Sequence, residues 1–279
     1  MARSILITGC SSGIGRHCAL AMARRGWRVF ATARNEADLA ALHEAGGKHG
    51  LEALYLDYAD EASIAAALQS VLAATDGRLD ALFNNGAYSQ PGALEDISSA
   101  VLRAQFDANF FGWHELTRKV IPVMRRQNAG RIVMNSSVLG LVALGFRGAY
   151  NSSKFALEGY TDTLRIELAD TGIKVVAIEP GPIESRMTEN AVAAFHRNVD
   201  IDASVHAAYY RRRLASMEKG GNTFGQLGPE AVLDVLIEAC EAPSPATHYP
   251  VTRQTRIAAF GRRLLPRRLL HKMATRATN

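Results

Sequence analysis

Short apolar segments of strand length alternate with helical segments over the first two thirds of the chain. Strands that are apolar throughout are covered on both faces, and strands separated by helices pair in parallel. Right-handed crossovers then leave a doubly wound sheet between two helical layers as the simplest topology. We therefore predict a three-layer α/β fold. Its first six strands are residues 4–8, 28–32, 51–56, 80–83, 131–134 and 174–178.

The helical segments complete this pattern and indicate a single domain. Predicted helices cover residues 36–45, 61–74, 100–126, 150–170 and 229–242, and residues 248–251 form a last edge strand. Residues 188–226 are rich in Ala, Arg and aromatic side chains, among them Phe195, Tyr209, Tyr210 and Phe224. We expect a catalytic domain over residues 1–252, in which 188–226 is a helical insertion on the substrate side, and a basic tail over 253–279. The aromatic residues of the insertion form either a lid over the site or ordinary core.

Composition narrows the class of protein. The chain is 48% hydrophobic and 21% charged, as in soluble globular proteins. Its apolar runs are shorter than the roughly 18 residues that a membrane span needs. The first strand begins at about Ser4, which leaves no room for a signal peptide. The three cysteines are scattered without metal-ligand spacing, so we expect free thiols, no metal and a cytoplasmic location.

Polar and small residues follow the predicted strands at the points where they end. In doubly wound sheets, ligands bind at the carboxyl ends of the strands. Five residues occupy such positions: Gly9, Asp57, Asn85, Ser137 and Pro180. This convergence predicts one site at that edge of the sheet. Asp57 has an alternative role as the cap of the next helix; we favour a contact to the adenine edge of a nucleotide.

A glycine-rich turn, Gly9-x3-Gly13-x-Gly15, follows the first strand and precedes a helix. Glycines there allow a tight turn and close backbone approach, and a helix N-terminus binds a diphosphate. The turn therefore indicates a dinucleotide site, although glycine-rich turns also occur for structural reasons. Within it, we interpret Cys10 as a small filler rather than a redox switch.

The pair Tyr150 and Lys154 is the strongest candidate for catalysis. Residues four apart on a helix share one face, so the ammonium can lie beside the phenol. A neighbouring cation favours the phenolate and brings the pKa of the tyrosine toward the range of general acid–base catalysis. An exposed pair on a solvated helix face is the alternative. Ser137, thirteen residues before Tyr150, supports the catalytic interpretation.

Taken together, these segments resemble the single-domain short-chain dehydrogenases/reductases over residues 3–185. The similarity rests on TGCSSGIG, Asn84-Asn85-Gly86-Ala87, Asn109, Ser137, Tyr150-x3-Lys154 and Pro180-Gly181. It implies a Rossmann-type fold, a nicotinamide cofactor and hydride transfer between a carbonyl and an alcohol. Family members usually have Asn-Asn-Ala-Gly where this chain has Asn-Asn-Gly-Ala, so we expect a local backbone change with the site retained.

The resemblance also implies residue roles. Tyr150 is the general acid/base, Lys154 lowers its pKa and holds the nicotinamide ribose, and Ser137 binds the substrate oxygen. Asn109 holds a water in a proton relay behind Lys154; its alternative is a core or helix-capping asparagine. Ile183 meets the carboxamide. Cofactor contacts are expected from Gly9, Ser11, Ser12, Gly13, Ile14, Gly15, Arg34, Asp57, Tyr58, Asn85, Gly86, Tyr150, Lys154, Pro180, Gly181, Ile183 and Ser185.

The end of the second strand bears on cofactor choice. Sites specific for NAD place an acid there to bind the ribose hydroxyls. Here the chain has Ala33 followed by Arg34, and a guanidinium can bind the 2′-phosphate of NADP. We therefore predict NADP over NAD. A looser likeness to hydroxysteroid and retinol dehydrogenases, seen in Phe83-Asn-Asn, Pro180-Gly-Pro-Ile183 and the basic C-terminal segment, implies an apolar alcohol/ketone pair.

Two other functions stay open at this stage. One is a regulator that binds NADP without turnover, which would have little reason to keep Asn109, Ser137, Tyr150 and Lys154 together. The other is an epimerase or dehydratase of the same fold, which would need further acid/base groups. The family resemblance also implies a homo-oligomer in which the helices at 100–126 and around Tyr150 pair with their copies through Phe155, Leu157, Leu164 and Leu168.

The tail from Arg253 to Arg276 has seven Arg and one Lys and no acid. Subtracting these eight charges from the net +5 leaves −3 for the remainder. Apolar residues recur in it at near-helical spacing, and Pro266 divides it into two short helices. Either the apolar face packs over the aromatic lid, or the tail makes weak, salt-sensitive contact with an anionic membrane. We expect no nucleic-acid partner.

Overall fold

The computed structural model describes residues 2–218 and 225–278. In these ranges seven parallel strands form one sheet in the order β3-β2-β1-β4-β5-β6-β7. The strands are β1 Ser4–Ile7, β2 Arg28–Ala33, β3 Leu51–Tyr55, β4 Ala81–Asn84, β5 Gly130–Asn135, β6 Ile173–Glu179 and β7 His248–Pro250. Each end differs from the sequence prediction by at most one residue. The doubly wound, Rossmann-type sheet is confirmed.

Eleven α-helices flank the sheet or extend from it within the described ranges. They are α1 Gly13–Arg24, α2 Glu36–Gly46, α3 Glu61–Ala74, α4 Ser99–Phe106, α5 Gly112–Gln127, α6 Gly148–Glu167, α7 Met187–Asn198, α8 Ala207–Glu218, α9 Glu230–Glu241, α10 Arg253–Leu264 and α11 Arg267–Thr278. Among the described residues, no helix combines the length and apolar composition needed to cross a bilayer.

Two apolar layers hold the helices on the sheet. Successive strand residues point to opposite faces, so Ile5 and Ile7 join one layer while Leu6 joins the other. The first layer is packed by α1, α2 and α9, and the second by α3, α5 and α6. This arrangement explains why most strand residues are apolar and why charged ones such as Arg28, Lys174 and Glu179 lie at or next to the strand ends.

The predicted helix over 100–126 is interrupted. A π-helical turn over Asp107–Phe111 separates α4 from α5 and carries Asn109, which is fully buried. Such turns are frequent at functional sites because the wider turn redirects side chains and backbone groups. Periodicity in the sequence could not reveal it, since the apolar spacing continues on both sides. Pro122 is accommodated inside α5 without ending the helix.

The helices of the substrate-side insertion form a small core of their own. α7 and α8 bury Phe195, Val199, Tyr210 and Leu214 against the loop that follows β4. Tyr209 stacks on Phe146 with 3.9 Å between ring centroids. Phe195 and Tyr210 are therefore core residues, as one of the two interpretations expected, and Phe224 lies outside the described residues.

The expected apolar surface on α6 differs from the structure. Leu157, Leu164 and Leu168 are 1, 6 and 2% exposed, because they face the sheet. Phe155 alone of the four predicted residues reaches the surface, at 38% exposure, and the Arg262 guanidinium lies 5.6 Å from its ring. The helix is amphipathic, and its leucines were assigned to the wrong face.

The tail divides at Pro266 into α10 and α11, as predicted. Its apolar side chains do not cover the aromatic residues of the insertion: Ile257, Phe260 and Leu264 are 56, 67 and 63% exposed. Polar contacts join the tail to the body of the protein. One of them is a hydrogen bond from the Tyr209 hydroxyl to the carbonyl oxygen of Thr278 at 3.3 Å. The packing alternative is therefore wrong for these apolar residues.

Candidate active site

The glycine-rich turn after β1 is a tight cradle beside the end of β4. Gly9 and Gly13 have φ values of 68° and 53°, which side chains other than glycine rarely adopt. A Cβ on Gly9 would collide with the backbone of Gly86, and one on Gly15 would collide with the carbonyl oxygen of Gly9. The absence of side chains at these glycines therefore lets the neighbouring backbone segments approach closely at this turn.

The start of α1 can hold an anion. Ser12 is the N-cap residue, but its side chain makes no capping hydrogen bond, and the first turn has no acid. The first backbone amides of the helix therefore remain available, and the helix dipole favours negative charge there. Ser11, Ser12 and Ile14 are partly exposed at this point. The cradle and the helix start fit the diphosphate of a dinucleotide.

Three side chains tie the cradle to the neighbouring strands. The Thr8 hydroxyl accepts hydrogen bonds from the backbone amides of Asn85 and Gly86 at 2.8 and 3.1 Å. The Asn85 side chain donates to the carbonyl oxygen of Thr8 at 2.8 Å and accepts from the Asn135 side chain at 2.7 Å. β1, β4 and β5 are therefore locked together at their carboxyl ends, and the Gly-Ala order after Asn85 leaves this site intact.

Two residues that we predict to contact the cofactor make hydrogen bonds within the protein. The Tyr58 hydroxyl donates at 2.7 Å to Thr8 and lies 2.8 Å from the side-chain oxygen of Asn84, and the ring is buried. Its side chain supports the cradle from below. Asp57 Oδ1 accepts from the amide of Ala59, whereas Asp60 is the cap of α3, so the capping alternative for Asp57 is wrong. Contacts of both residues with a nucleotide stay predictions.

The remaining predicted cofactor residues follow the carboxyl ends of β2 and β6. Arg34 is exposed directly after β2. Pro180 follows β6, and its carbonyl oxygen accepts from Val138 at 2.8 Å. Gly181 packs against Thr252, where a Cβ would collide. Ile183 pairs with Leu227 in an isolated bridge, and Ser185 lies against Gly13.

Tyr150 and Lys154 lie one turn apart on α6 and are both buried, at 6 and 1% exposure. Lys154 Nζ donates to the carbonyl oxygen of Asn135 at 2.7 Å and lies 4.5 Å from the centre of the Trp113 ring and 5.7 Å from that of Tyr150. The ammonium is thus held by a carbonyl and an aromatic face. The exposed-pair interpretation is wrong.

The pKa of Tyr150 moves opposite to the sequence expectation. Burial raises it to about 12, although the Ser137 side chain and the Arg147 guanidinium oppose this change. Burial also lowers the pKa of Lys154 to about 7, opposed by the Glu158 carboxylate. Desolvation favours the neutral form of both groups. Burial therefore stabilises the protonated phenol of Tyr150.

Ser137 and Asn109 lie on either side of this pair. Ser137 follows β5 and caps a short helical turn, where its Oγ accepts from the amide of Leu139 at 3.1 Å. The Asn109 side chain accepts from the Tyr88 amide at 3.1 Å, and its Nδ2 donates to the Tyr88 carbonyl oxygen and to Ser153 at 2.9 and 3.3 Å. Asn109 therefore braces α6 next to Lys154, and its part in a water relay stays a prediction.

Residues not selected from the sequence surround Lys154. Trp113 is fully buried, and its Nε1 donates to the Gly86 carbonyl oxygen at 2.8 Å. Glu158, one turn beyond Lys154, lies with Glu179 and His248 in a cluster whose ligand atoms are within 4.8 Å of one another. Burial raises the pKa of Glu158, and it raises that of Glu179 to about 8. Glu158 lies four residues after Lys154 on α6, and this spacing is the sequence signal that could have identified it.

Comparison with known proteins agrees with this geometry. Residues 3–195 match the family model for short chain dehydrogenases. The uncharacterized oxidoreductase YbbO of Escherichia coli is 40% identical over 98% of this chain and 94% of its own. Human 17-beta-hydroxysteroid dehydrogenase type 1 is 33% identical over 91% of this chain and 79% of its own.

Solved structures show the same fold. A short-chain dehydrogenase from Streptomyces avermitilis superposes with a TM-score of 0.81 at 29% identity, covering 100% of this chain and 99% of the other. A variant of actinorhodin polyketide ketoreductase with NADPH has a TM-score of 0.73 at 26% identity, covering 89% of this chain and 94% of the other. The nicotinamide cofactor NADPH is thus bound in a solved structure of this fold. The chain belongs to the short-chain dehydrogenase family and is an oxidoreductase.

Proposed function

We propose that the protein reduces an apolar ketone to the secondary alcohol with NADPH. The observation that supports this most is a buried Tyr150 beside Lys154 and Ser137, at the sheet edge that also carries the glycine cradle. The family supplies the reaction class, and reduction is the direction that we propose. Burial raises the pKa of Tyr150, which keeps its proton available for transfer to the substrate oxygen.

Each side chain then has a distinct part in the reduction. Ser137 donates a hydrogen bond to the carbonyl oxygen of the substrate and orients it toward Tyr150. A bound nicotinamide supplies the hydride to the carbonyl carbon. Tyr150 gives its hydroxyl proton to the oxygen as negative charge develops there, which is favourable because an alkoxide is a stronger base than a phenolate. Lys154 stabilises the phenolate that remains.

Cofactor binding is assigned to the cradle and the start of α1. Gly9, Gly13 and Gly15 let the diphosphate approach the backbone, and the amides that follow Ser12 bind it. Asp57 borders the adenine, Ile183 borders the carboxamide, and Lys154 holds the nicotinamide ribose. Arg34 is exposed at the end of β2, where it can bind a 2′-phosphate in bidentate fashion.

An apolar substrate is favoured by the surroundings of the site. Phe146, four residues before Tyr150, stacks on Tyr209 of α8, which places two aromatic rings beside the segment that leads to the catalytic tyrosine. Human 17-beta-hydroxysteroid dehydrogenase, one of the relatives, is named for an apolar substrate. We propose that α7 and α8 form the lid over this substrate.

Glu158 is the acid that keeps Lys154 charged in this proposal. A fully buried ammonium tends to lose its proton, and a carboxylate on the next turn of the same helix opposes that loss. Burial raises the pKa of Glu158, and this change is opposed by the Ser136 side chain, Lys154 and Arg262, while Asp162 adds to it. Burial and the Glu158 charge raise the pKa of Glu179, and Arg262 and Arg263 oppose that change.

The protein is proposed to work as a cytoplasmic enzyme. Cys10, Cys18 and Cys240 are unpaired and buried, as expected in a reducing compartment. Burial raises the pKa of Cys10 to about 12, which suits a filler of the cradle better than a redox switch. Cell fractionation tests the location, and recovery in an oxidising compartment would contradict it.

Replacing Tyr150 by Phe removes the proton donor and keeps the ring. We expect kcat for carbonyl reduction to fall by about 10²–10⁴-fold, the usual contribution of a general acid, with NADPH binding retained. Steady-state assays with a panel of apolar ketones measure kcat, and fluorescence titration measures NADPH binding. Tyr160→Phe on the same helix is the control and should keep full activity. NADPH binding without turnover of any carbonyl by the parent would instead support the regulator.

Replacing Arg34 by Ala tests cofactor choice. The parent should use NADPH more efficiently than NADH, and the variant should lose about tenfold in kcat/KM for NADPH, because a charge-assisted hydrogen bond is lost. Efficiency with NADH should change little. Arg24→Ala, at the far end of α1, is the matched control. A parent that uses both cofactors equally well would refute the assignment.

Replacing Glu158 by Gln tests the tuning of Lys154. Lys154 is active when protonated and loses its proton as pH rises through its pKa of about 7. Without the nearby carboxylate this pKa falls, so the alkaline limb of kcat/KM for reduction should move to lower pH by about one unit. Glu167→Gln, exposed at the end of α6, should leave the profile unchanged. A uniform loss of activity without a shifted limb would indicate a merely structural role.

A homo-oligomer is proposed from the family and from exposed apolar residues beside α5 and on α6. Phe111 and Ile166 are 54 and 76% exposed, whereas Leu157, Leu164 and Leu168 are buried. Pairing of α5 and α6 with their copies would cover both. Light scattering at micromolar concentration should give at least a dimer; a monomer that is stable at this concentration would contradict it.

A further inference from the structure

The tail helices α10 and α11 present apolar side chains to solvent. Ile257, Phe260 and Leu264 lie on one face of α10 at spacings of three and four residues, and they are 56, 67 and 63% exposed. Leu269 and Met273 continue this on α11, at 43 and 48%. We call these five residues the apolar stripe. Stripes of this kind normally face the core, so an exposed one needs a partner.

Exposed basic residues accompany the apolar stripe on both helices. Arg253, Arg256 and Arg263 are exposed on α10, and Arg267, Arg268, Lys272 and Arg276 are exposed on α11. The tail contains no acid to offset them. An amphipathic helix that carries exposed apolar and basic side chains together is the kind that lies in the interface of an anionic bilayer.

The stripe is already ordered on the body of the protein. Thr252 caps α10 and is fully buried. Arg262 lies over Phe155 and donates to the Gly140 carbonyl oxygen at 3.5 Å, and Thr278 accepts from the Gly145 amide at 3.0 Å. These contacts hold the opposite face of the tail, so the helices need not fold on binding and their apolar side chains stay turned outward.

We propose that the apolar stripe docks the protein on an anionic lipid surface. Charge complementarity selects this occupant over a second copy of the chain, because a two-fold interface would place the basic residues against one another. The apolar side chains favour lipid over nucleic acid. Basic residues alone are sufficient to bind the phosphates of a nucleic acid, and the five exposed apolar side chains would have no contact there. The lipid headgroups meet the arginines, and the acyl boundary covers the stripe.

Docking in this way would orient the active site. The tail contacts Gly140 and Gly145, which lie between Ser137 and Tyr150, and it contacts Tyr209 of α8. The segment that carries Ser137 therefore lies directly behind the docking face. A substrate dissolved in the bilayer would enter close to where the protein is attached. The docking itself does not depend on the reaction proposed above.

Vesicle sedimentation of the full chain tests the proposal. Vesicles of phosphatidylcholine mixed with phosphatidylserine should bind the protein at low salt and release most of it at high salt, whereas pure phosphatidylcholine should bind little. Replacing Ile257, Phe260 and Leu264 together by Ser should lower the partition coefficient by about tenfold or more. These positions are exposed, so the variant should keep its fold and its activity on a soluble ketone.

A matched control separates the stripe from general surface hydrophobicity. Phe260→Ser should weaken vesicle binding, while Val205→Ser, at a position 86% exposed outside the tail, should leave it unchanged. Four results would overturn the proposal: no binding at low salt, equal binding to pure phosphatidylcholine, binding indifferent to the triple substitution, or a triple substitution that changes only the oligomeric state in light scattering.

Discussion

The buried ammonium of Lys154 is the interaction on which the rest of the site depends. Removing a charge from water costs several kcal/mol unless nearby groups compensate it. Here the compensation comes from three elements: the Asn135 carbonyl at the end of β5, the Trp113 ring on α5, and Glu158 on α6. The sheet edge, the π-helical turn before α5 and the helix with Tyr150 are therefore held in one arrangement by a single side chain.

The same contacts join catalysis to cofactor binding. Asn135 supplies the carbonyl to Lys154 and donates from its side chain to Asn85, which in turn binds the cradle through Thr8. Trp113 donates to Gly86 opposite Gly9. A displacement of the cradle is thus transmitted to the ammonium through three hydrogen bonds. This connection explains why polar residues lie at the carboxyl ends of β1, β4 and β5.

Sequence patterns predicted the features of the fold and of the site that depend on residues close to one another along the chain. The strands were placed to within one residue because each is a short apolar run between polar or small residues, and Tyr150 and Lys154 were placed together because helical spacing is local. The π-helical turn at Asn109 and the inward rotation of Leu157 and Leu164 were missed, and the sequence left the orientation of the apolar face of α10 open. Each of these features is decided by packing between distant segments. The direction of the pKa change of Tyr150 was wrong for the same reason: burial is a property of the whole fold.

The central claim is hydride transfer at the edge of the sheet with Tyr150 as proton donor. It is tested most directly by supplying NADPH that is deuterated at the transferable position of C4, together with an apolar ketone, and analysing the product by mass spectrometry. The account predicts an alcohol with one deuterium on the carbinol carbon, from only one of the two C4 epimers of the labelled cofactor. An alcohol without deuterium, or label transferred equally from both epimers, would contradict it.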